Sequence, residues 1–194
     1  MSTKAVIFSG SFNPVHIGHT AIANYVIEFA QADEVWFIVS PQNPFKVNSG
    51  LLDFEHRFNM AKLALKGLDL PIIVSDVEEA LPKPSYTINT LETLTAKYPD
   101  KEWSLLIGSD NLVNLHNWRD YDKIATGYQL LVYPRLGYDN KALYAKHNAI
   151  KLDAPIIEIS STFIREALQK GYNLNGFIHP DVSKYIKKHK LYLE

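Results

Sequence analysis

The chain contains no cysteine. This excludes disulfides, thiolate nucleophiles and Cys-based zinc sites together, and fits a reducing, cytoplasmic setting. It also lacks an excess of charge of either sign: Lys and Arg total 20 against 21 Asp and Glu, a net charge of −1. A dedicated nucleic-acid binder carries a basic excess, so no DNA or RNA partner is expected, and anion chemistry must rest on a few placed groups. No stretch approaches the roughly 18–20 apolar residues of a membrane span. Lys4 precedes only the short apolar run 5–8 before Ser9 and Gly10, so no targeting segment is expected. Internal repeats, low-complexity tracts and linkers are missing as well. What remains is a chain of 194 residues, 46% apolar and 12% aromatic, enough to bury a proper core. One domain spanning 1–194 is expected.

Short apolar runs alternate with longer amphipathic segments. Strands are expected at residues 5–8, 35–39, 71–74, 103–107, 129–133 and 156–159, rich in β-branched and aromatic residues. Helices are expected at 17–30, 52–66, 87–97, 140–147, from 161 or 162 to 170, and 181–189, with short helical pieces at 111–115 and 121–125. Gly67, Pro99 and Gly171 supply stops. Strand–helix alternation along the whole chain implies an α/β fold: a doubly wound, mostly parallel sheet with right-handed crossovers and helices on both faces. In such folds ligands sit at the carboxyl ends of the strands, so functional residues should follow strands.

Two segments meet that demand. The first strand runs out into Gly10-Ser11-Phe12-Asn13-Pro14-Val15-His16-Ile17-Gly18-His19. Gly10 lets the backbone turn sharply and Pro14 stiffens the turn. The following helix begins near His16, and its free N–H groups and positive dipole end make an anion site flanked by two imidazoles. Each histidine can donate to a phosphate oxygen, and an anion favours its charged form. The segment is neither a Walker loop nor a dinucleotide fingerprint, because the Gly-Lys-Ser/Thr ending and the G-x-G-x-x-G glycines are missing. The second segment is Ile159-Ser160-Ser161-Thr162-Phe163-Ile164-Arg165. Its hydroxyls suit helix capping and, equally, phosphate contact; Arg165, one turn in, can reach the same anion with its planar fork.

Together these segments resemble the nucleotidyltransferase superfamily with the HIGH motif, and within it the bacterial nicotinate-nucleotide adenylyltransferases. The resemblance runs the length of the chain: Ser85-Tyr86-Thr87 followed by Leu91, Gly108-x-Asp110 followed at eight residues by Trp118, and the ending Pro180-x-Val182-x-x-Tyr185-Ile186 with Leu191-Tyr192. It implies a Rossmann-like fold and transfer of AMP from ATP to nicotinate mononucleotide with magnesium, giving deamido-NAD and pyrophosphate, and no metal held by the protein's own ligands. By this likeness His16, His19, Arg165 and Lys46 would be the catalytic, phosphate-holding residues. Gly10, Ser11, Phe12, Gly18, Gly108, Asp110, Ile159, Ser160, Ser161 and Thr162 would form the ATP site, with Asp110 on the adenosine ribose. Ser85, Tyr86, Thr87 and Trp118 would form the acceptor site: Trp118 stacking on the pyridine ring, and backbone near Tyr86, Thr87 and Trp118 meeting its carboxylate.

Two departures from the family's pattern stand out. Asn13 replaces a common Asp, keeping the turn chemistry and losing a charge. Asn43-Pro44-Phe45-Lys46 replaces a Pro-Pro-His-Lys type of segment, so Phe45 cannot hydrogen-bond a phosphate and Lys46 is left as the contact. Competing readings are phosphopantetheine as acceptor, nicotinamide mononucleotide as acceptor, and a non-catalytic nucleotide sensor. No lysine or arginine marks the carboxylate pocket from sequence.

Overall fold

In the computed structural model, which describes residues 2–42 and 50–193, the first strand is buried on both faces. In β1 (Thr3–Gly10), Ala5 and Ile7 face one hydrophobic cluster while Val6 and Phe8 face another. A strand so placed reads as a continuous apolar run, which is what a central parallel strand requires. Around it lie β2 (Glu34–Val39), β3 (Ile72–Ser75), β4 (Lys101–Gly108), β5 (Gln129–Tyr133) and β6 (Ile150–Lys151). The six strands form one sheet in the order β3-β2-β1-β4-β5-β6, parallel throughout. This is the Rossmann-like α/β arrangement, and its order reverses between β1 and β4, where a crevice opens at the strand ends.

The helices cover the two faces by their apolar stripes. α1 (Ile17–Phe29), α2 (Phe54–Leu65), α7 (Ser161–Gln169) and α8 (Pro180–His189) place Val26, Met60, Ile164 and Val182 against one face. α3 (Thr87–Lys97) places Ile88, Leu91 and Leu94 against the other, where α5 (Tyr121–Gly127) adds Ile124 and α4 (Ser109–Val113) adds Leu112. α6 (Lys141–Lys146) precedes the edge strand β6.

Most expected elements stand within a residue or two of their predicted bounds, and those of α3 and β5 coincide with them. The expected strand at 156–159 is a correction. The sixth strand is Ile150–Lys151, after which Leu152 N–H donates to Val132 O at 2.9 Å and residues 152–160 leave the ladder. The apolar run Ile156, Ile157 and Ile159 has strand composition, but Ile157 and Ile159 instead line a cavity at the sheet's end. A 3-10 turn, Val77–Ala80, appears where no element was expected.

Candidate active site

The turn after β1 is held by contacts far apart in sequence. Phe12 adopts a left-handed backbone (φ 45°) and buries its ring against Phe37, the centroids 5.0 Å apart. Arg57, 1% exposed, donates to the carbonyls of Ser11 and Ser40 at 2.7 Å, Leu52 at 2.8 Å and Pro41 at 3.1 Å. One guanidinium thereby fixes the exits of β1 and β2 and the entry to α2. Asn13 contributes a second anchor: its amide donates to Gly50 O at 2.7 Å, and its carbonyl oxygen accepts from Tyr192 Oη at 2.7 Å. An aspartate here could not make the first of these bonds, so the Asn13 departure has a local use.

His16 is the extended residue that starts α1, and Ile17 N–H donates to Phe177 O at 2.8 Å. His16 N–H donates to His19 Nδ1 at 3.2 Å, and the two imidazoles stack with centroids 3.7 Å apart. His19 also packs on Phe12 at 5.0 Å. A Cβ on Gly18 would lie 3.1 Å from the His16 ring, so a glycine keeps the pair in place. His16 is buried, and its Nδ1 has no hydrogen-bond partner. Burial, with the charge of Arg135 second, lowers its pKa to about 4. Without an anion, His16 is therefore neutral near pH 7. A phosphate brought alongside would raise its pKa again.

The second motif joins the first directly. Ser161 Oγ donates to Pro14 O at 2.9 Å, and Arg165 Nη1 donates to Asn13 O at 2.9 Å. Ser160 Oγ caps α7 by accepting from Phe163 N–H at 3.1 Å, and Arg165 Nη2 donates to Thr162 Oγ1 at 3.3 Å. Of the three hydroxyls only Ser160 is a cap, and the Ser161 and Arg165 contacts hold the β1 exit and the start of α7 together.

The crevice at this edge has two lobes, with Phe8 and Tyr133 lining both. The first lobe is lined by His16, Gly18, His19, Ile159 and, unexpectedly, Arg135. The second is lined by Gly10, Ser85, Tyr86, Thr87, Gly108 and Trp118, together with Glu78 and Arg119. Gly10 and Gly108, expected beside ATP, thus line the lobe that holds the expected acceptor residues. Ser11, Phe12, Asp110, Ser160, Ser161, Thr162 and Arg165 line neither lobe, and Ser11 Oγ is buried without a partner. Lys46 and Phe45 lie outside the described residues.

Asp110 stands in the first turn of α4, where a side chain at Gly108 would collide with its Oδ1. That oxygen is buried without a hydrogen bond, and Arg135 Nε lies 3.9 Å away, beyond hydrogen-bonding range. Arg135 Nη2 donates to Tyr133 Oη at 3.1 Å. In the second lobe α3 starts at Thr87 without a side-chain cap from Tyr86, so its first N–H groups have no intrahelical acceptor. The Trp118 N–H is already committed, donating to Leu115 O at 2.9 Å, which removes it from the donors expected for a carboxylate. Glu78, Arg57, Arg119 and Arg135 were missed from sequence. Of these, only Arg135 had a usable signal, since Pro134-Arg135 directly follows β5 and the strand-end rule applies to it.

The cytidylyltransferase-like family model matches residues 7–167. A protein of Bacteroides fragilis named "Probable nicotinate-nucleotide adenylyltransferase" is 49% identical over 95% of this chain and 91% of its own. One of the same name from Flavobacterium johnsoniae is 44% identical over 97% of this chain and 98% of its own. Among solved structures, Plasmodium falciparum nicotinic acid mononucleotide adenylyltransferase complexed with NaAD superposes with a TM-score of 0.85. It covers 98% of this chain and 97% of its own at 22% identity, a likeness of fold. The chain belongs to the cytidylyltransferase-like family and, within it, to the nicotinate-nucleotide adenylyltransferases.

Proposed function

We propose that this chain, acting as one nucleotidyltransferase domain over 1–194, transfers AMP from ATP to nicotinate mononucleotide. The observation that carries the reading is the two-lobed crevice at the β1/β4 switch point, with paired imidazoles at a helix start in one lobe and a tryptophan beside an uncapped helix start in the other. A phosphate oxygen of the mononucleotide attacks the α-phosphorus of ATP, the α–β phosphoanhydride bond breaks, and pyrophosphate leaves with the bonding electrons. The nucleophile is ionised at neutral pH, so no general base is needed. Positioning and charge neutralisation carry the catalysis.

His16 and His19 serve this step as donors to phosphate oxygens, with Arg165 anchoring the turn that presents them. Asp110 Oδ1, buried without a hydrogen bond, offers an acceptor suited to a ribose hydroxyl. Trp118 offers a face for the pyridine ring, worth about 0.5–1.5 kcal/mol beyond burial for an aromatic pair. The groups at the crevice suit phosphate rather than a cation, and no cluster of three or more His, Cys, Asp or Glu able to hold a metal exists among the described residues. Magnesium would be bound through the ATP phosphates and water, where it would supply charge neutralisation. No helix among the described residues is long and apolar enough to cross a membrane, and the lack of cysteine supports a cytoplasmic setting.

Pyrophosphate release from ATP, measured in parallel with nicotinate mononucleotide, nicotinamide mononucleotide and phosphopantetheine, tests the reading. Efficient release with nicotinate mononucleotide is expected. Release only with phosphopantetheine, or none with any acceptor, overturns it.

A further inference from the structure

The second lobe holds two opposite charges that phosphate transfer does not require. Glu78, on the 3-10 turn Val77–Ala80, is 2% exposed and lines the cavity. Its Oε1 accepts from Ser9 Oγ at 3.2 Å and Thr90 Oγ1 at 2.8 Å, and its Oε2 accepts from Ser40 Oγ at 2.5 Å. These hydroxyls come from the ends of β1 and β2 and from α3, so the carboxyl group is fixed by three elements. Three donors onto two oxygens suit the ionised, acceptor-only form. No ion pair to Glu78 exists among the described residues. Hydroxyl dipoles soften the cost of burying this charge without cancelling it. Arg119 lies on the same cavity, its guanidinium 4.8 Å from the centroid of the Tyr86 ring. Among the described residues its one carboxylate contact is exposed, 4.0 Å from Asp120.

A pyridine base joined to ribose through its ring nitrogen is a pyridinium cation, and the nicotinate form adds a carboxylate anion. We propose that the lobe is polarised to match: Glu78 is the counter-charge for the pyridinium ring, and Arg119 the counter-charge for its carboxylate. This rests on the pyridine-nucleotide reading above and specifies how the acceptor is chosen within it. The two charges differ in environment. A buried carboxylate acts on the ring with little screening, whereas an exposed guanidinium acts through solvent and loses strength as salt rises.

Binding to the full-length protein tests both charges, using oxidised nicotinate mononucleotide and oxidised and reduced nicotinamide mononucleotide. The reduced dihydropyridine ring is neutral and nearly the same size. The wild-type protein should bind the oxidised amide at least roughly tenfold more tightly than the reduced one. Glu78→Gln keeps the size and most of the hydroxyl contacts, and should abolish that preference. Arg119→Gln should keep it while losing the preference for nicotinate over nicotinamide mononucleotide, by a factor that shrinks at high salt in the wild type. The Trp118 face attracts cations too. Trp118→Leu should therefore retain the oxidised-over-reduced preference, and this variant decides the point if Glu78→Gln does not fold. Equal binding of oxidised and reduced rings, an unchanged ratio in folded Glu78→Gln, loss of the ratio in Trp118→Leu, or an unchanged nicotinate preference in Arg119→Gln overturns the inference while leaving adenylyl transfer to pyridine mononucleotides intact. A wild type that transfers only to phosphopantetheine overturns the function and this inference together.

Discussion

The two lobes share Phe8 and Tyr133 yet differ in how their titratable groups are held. In the first, polar atoms are left without partners: His16 Nδ1 and Arg135 Nε are buried and unsatisfied. In the second, Ser85 Oγ is also unpaired, but Glu78 is saturated by three hydroxyls from three elements. Buried polar groups are normally paired, so a cluster of unpaired ones marks where a ligand completes the set. On the proposed reading an anion completes the first lobe, while in the second the Glu78 carboxyl group is held in advance. On that reading His16 takes up a proton when an anion fills the first lobe.

The sharpest way to break this comparison is to remove a donor from the first lobe. His19→Ala should lower kcat by roughly 10²–10³, to the same degree with every accepted acceptor. Steady-state pyrophosphate release checks this, and a near-normal kcat ends the assignment of His19 to the reacting phosphates. Next in size is the frame common to both lobes. Arg57→Met should leave several buried carbonyls without donors, at about 1–3 kcal/mol for each unsatisfied group. Urea unfolding should show the loss, and an unchanged midpoint would mean that water replaces the guanidinium. Trp118→Ala should lower kcat/KM for both pyridine acceptors by about tenfold while sparing the KM for ATP, since an aromatic stack plus its burial is at stake. A raised KM for ATP would show that the lobes are not separate.

The smallest effect is the protonation difference itself. Burial lowers the His16 pKa to about 4, below the ordinary value of 6.5, so the unfolded chain binds the extra proton between these values. Stability of the ligand-free protein should therefore fall as pH drops from about 6.5 toward 4, and His16→Gln should remove part of that slope. ATP binding near pH 6.5 should take up a fraction of a proton, because the triphosphate raises the His16 pKa. Calorimetry in two buffers of different ionisation enthalpy measures the uptake. Zero uptake in the wild type, or the same uptake in His16→Gln, contradicts the role of this imidazole.

The sequence by itself determined the parallel α/β architecture and the segment that leaves β1, because both rest on local signals. Apolar period marks strands and helices, and Gly10, Pro14 and Gly18 mark a turn that feeds a helix. Trp118 and Tyr86 were legible through the family likeness, and the structure lines one lobe with both. Local signals failed where composition and pairing disagree: residues 156–159 have the β-branched make-up of a strand, but the ladder beside β5 was already taken by Ile150–Lys151. They failed again for groups whose meaning lies in distant partners. Ser9 meets Glu78 across 69 residues, and Arg57 meets Ser11 across 46. A lone glutamate or arginine in a sequence reads as a solvated side chain, since such residues are mostly exposed. Only the close approach of β1, β2 and α3, driven by burial of their apolar faces, decided that Glu78 would be an enclosed charge on the wall of a ligand cavity.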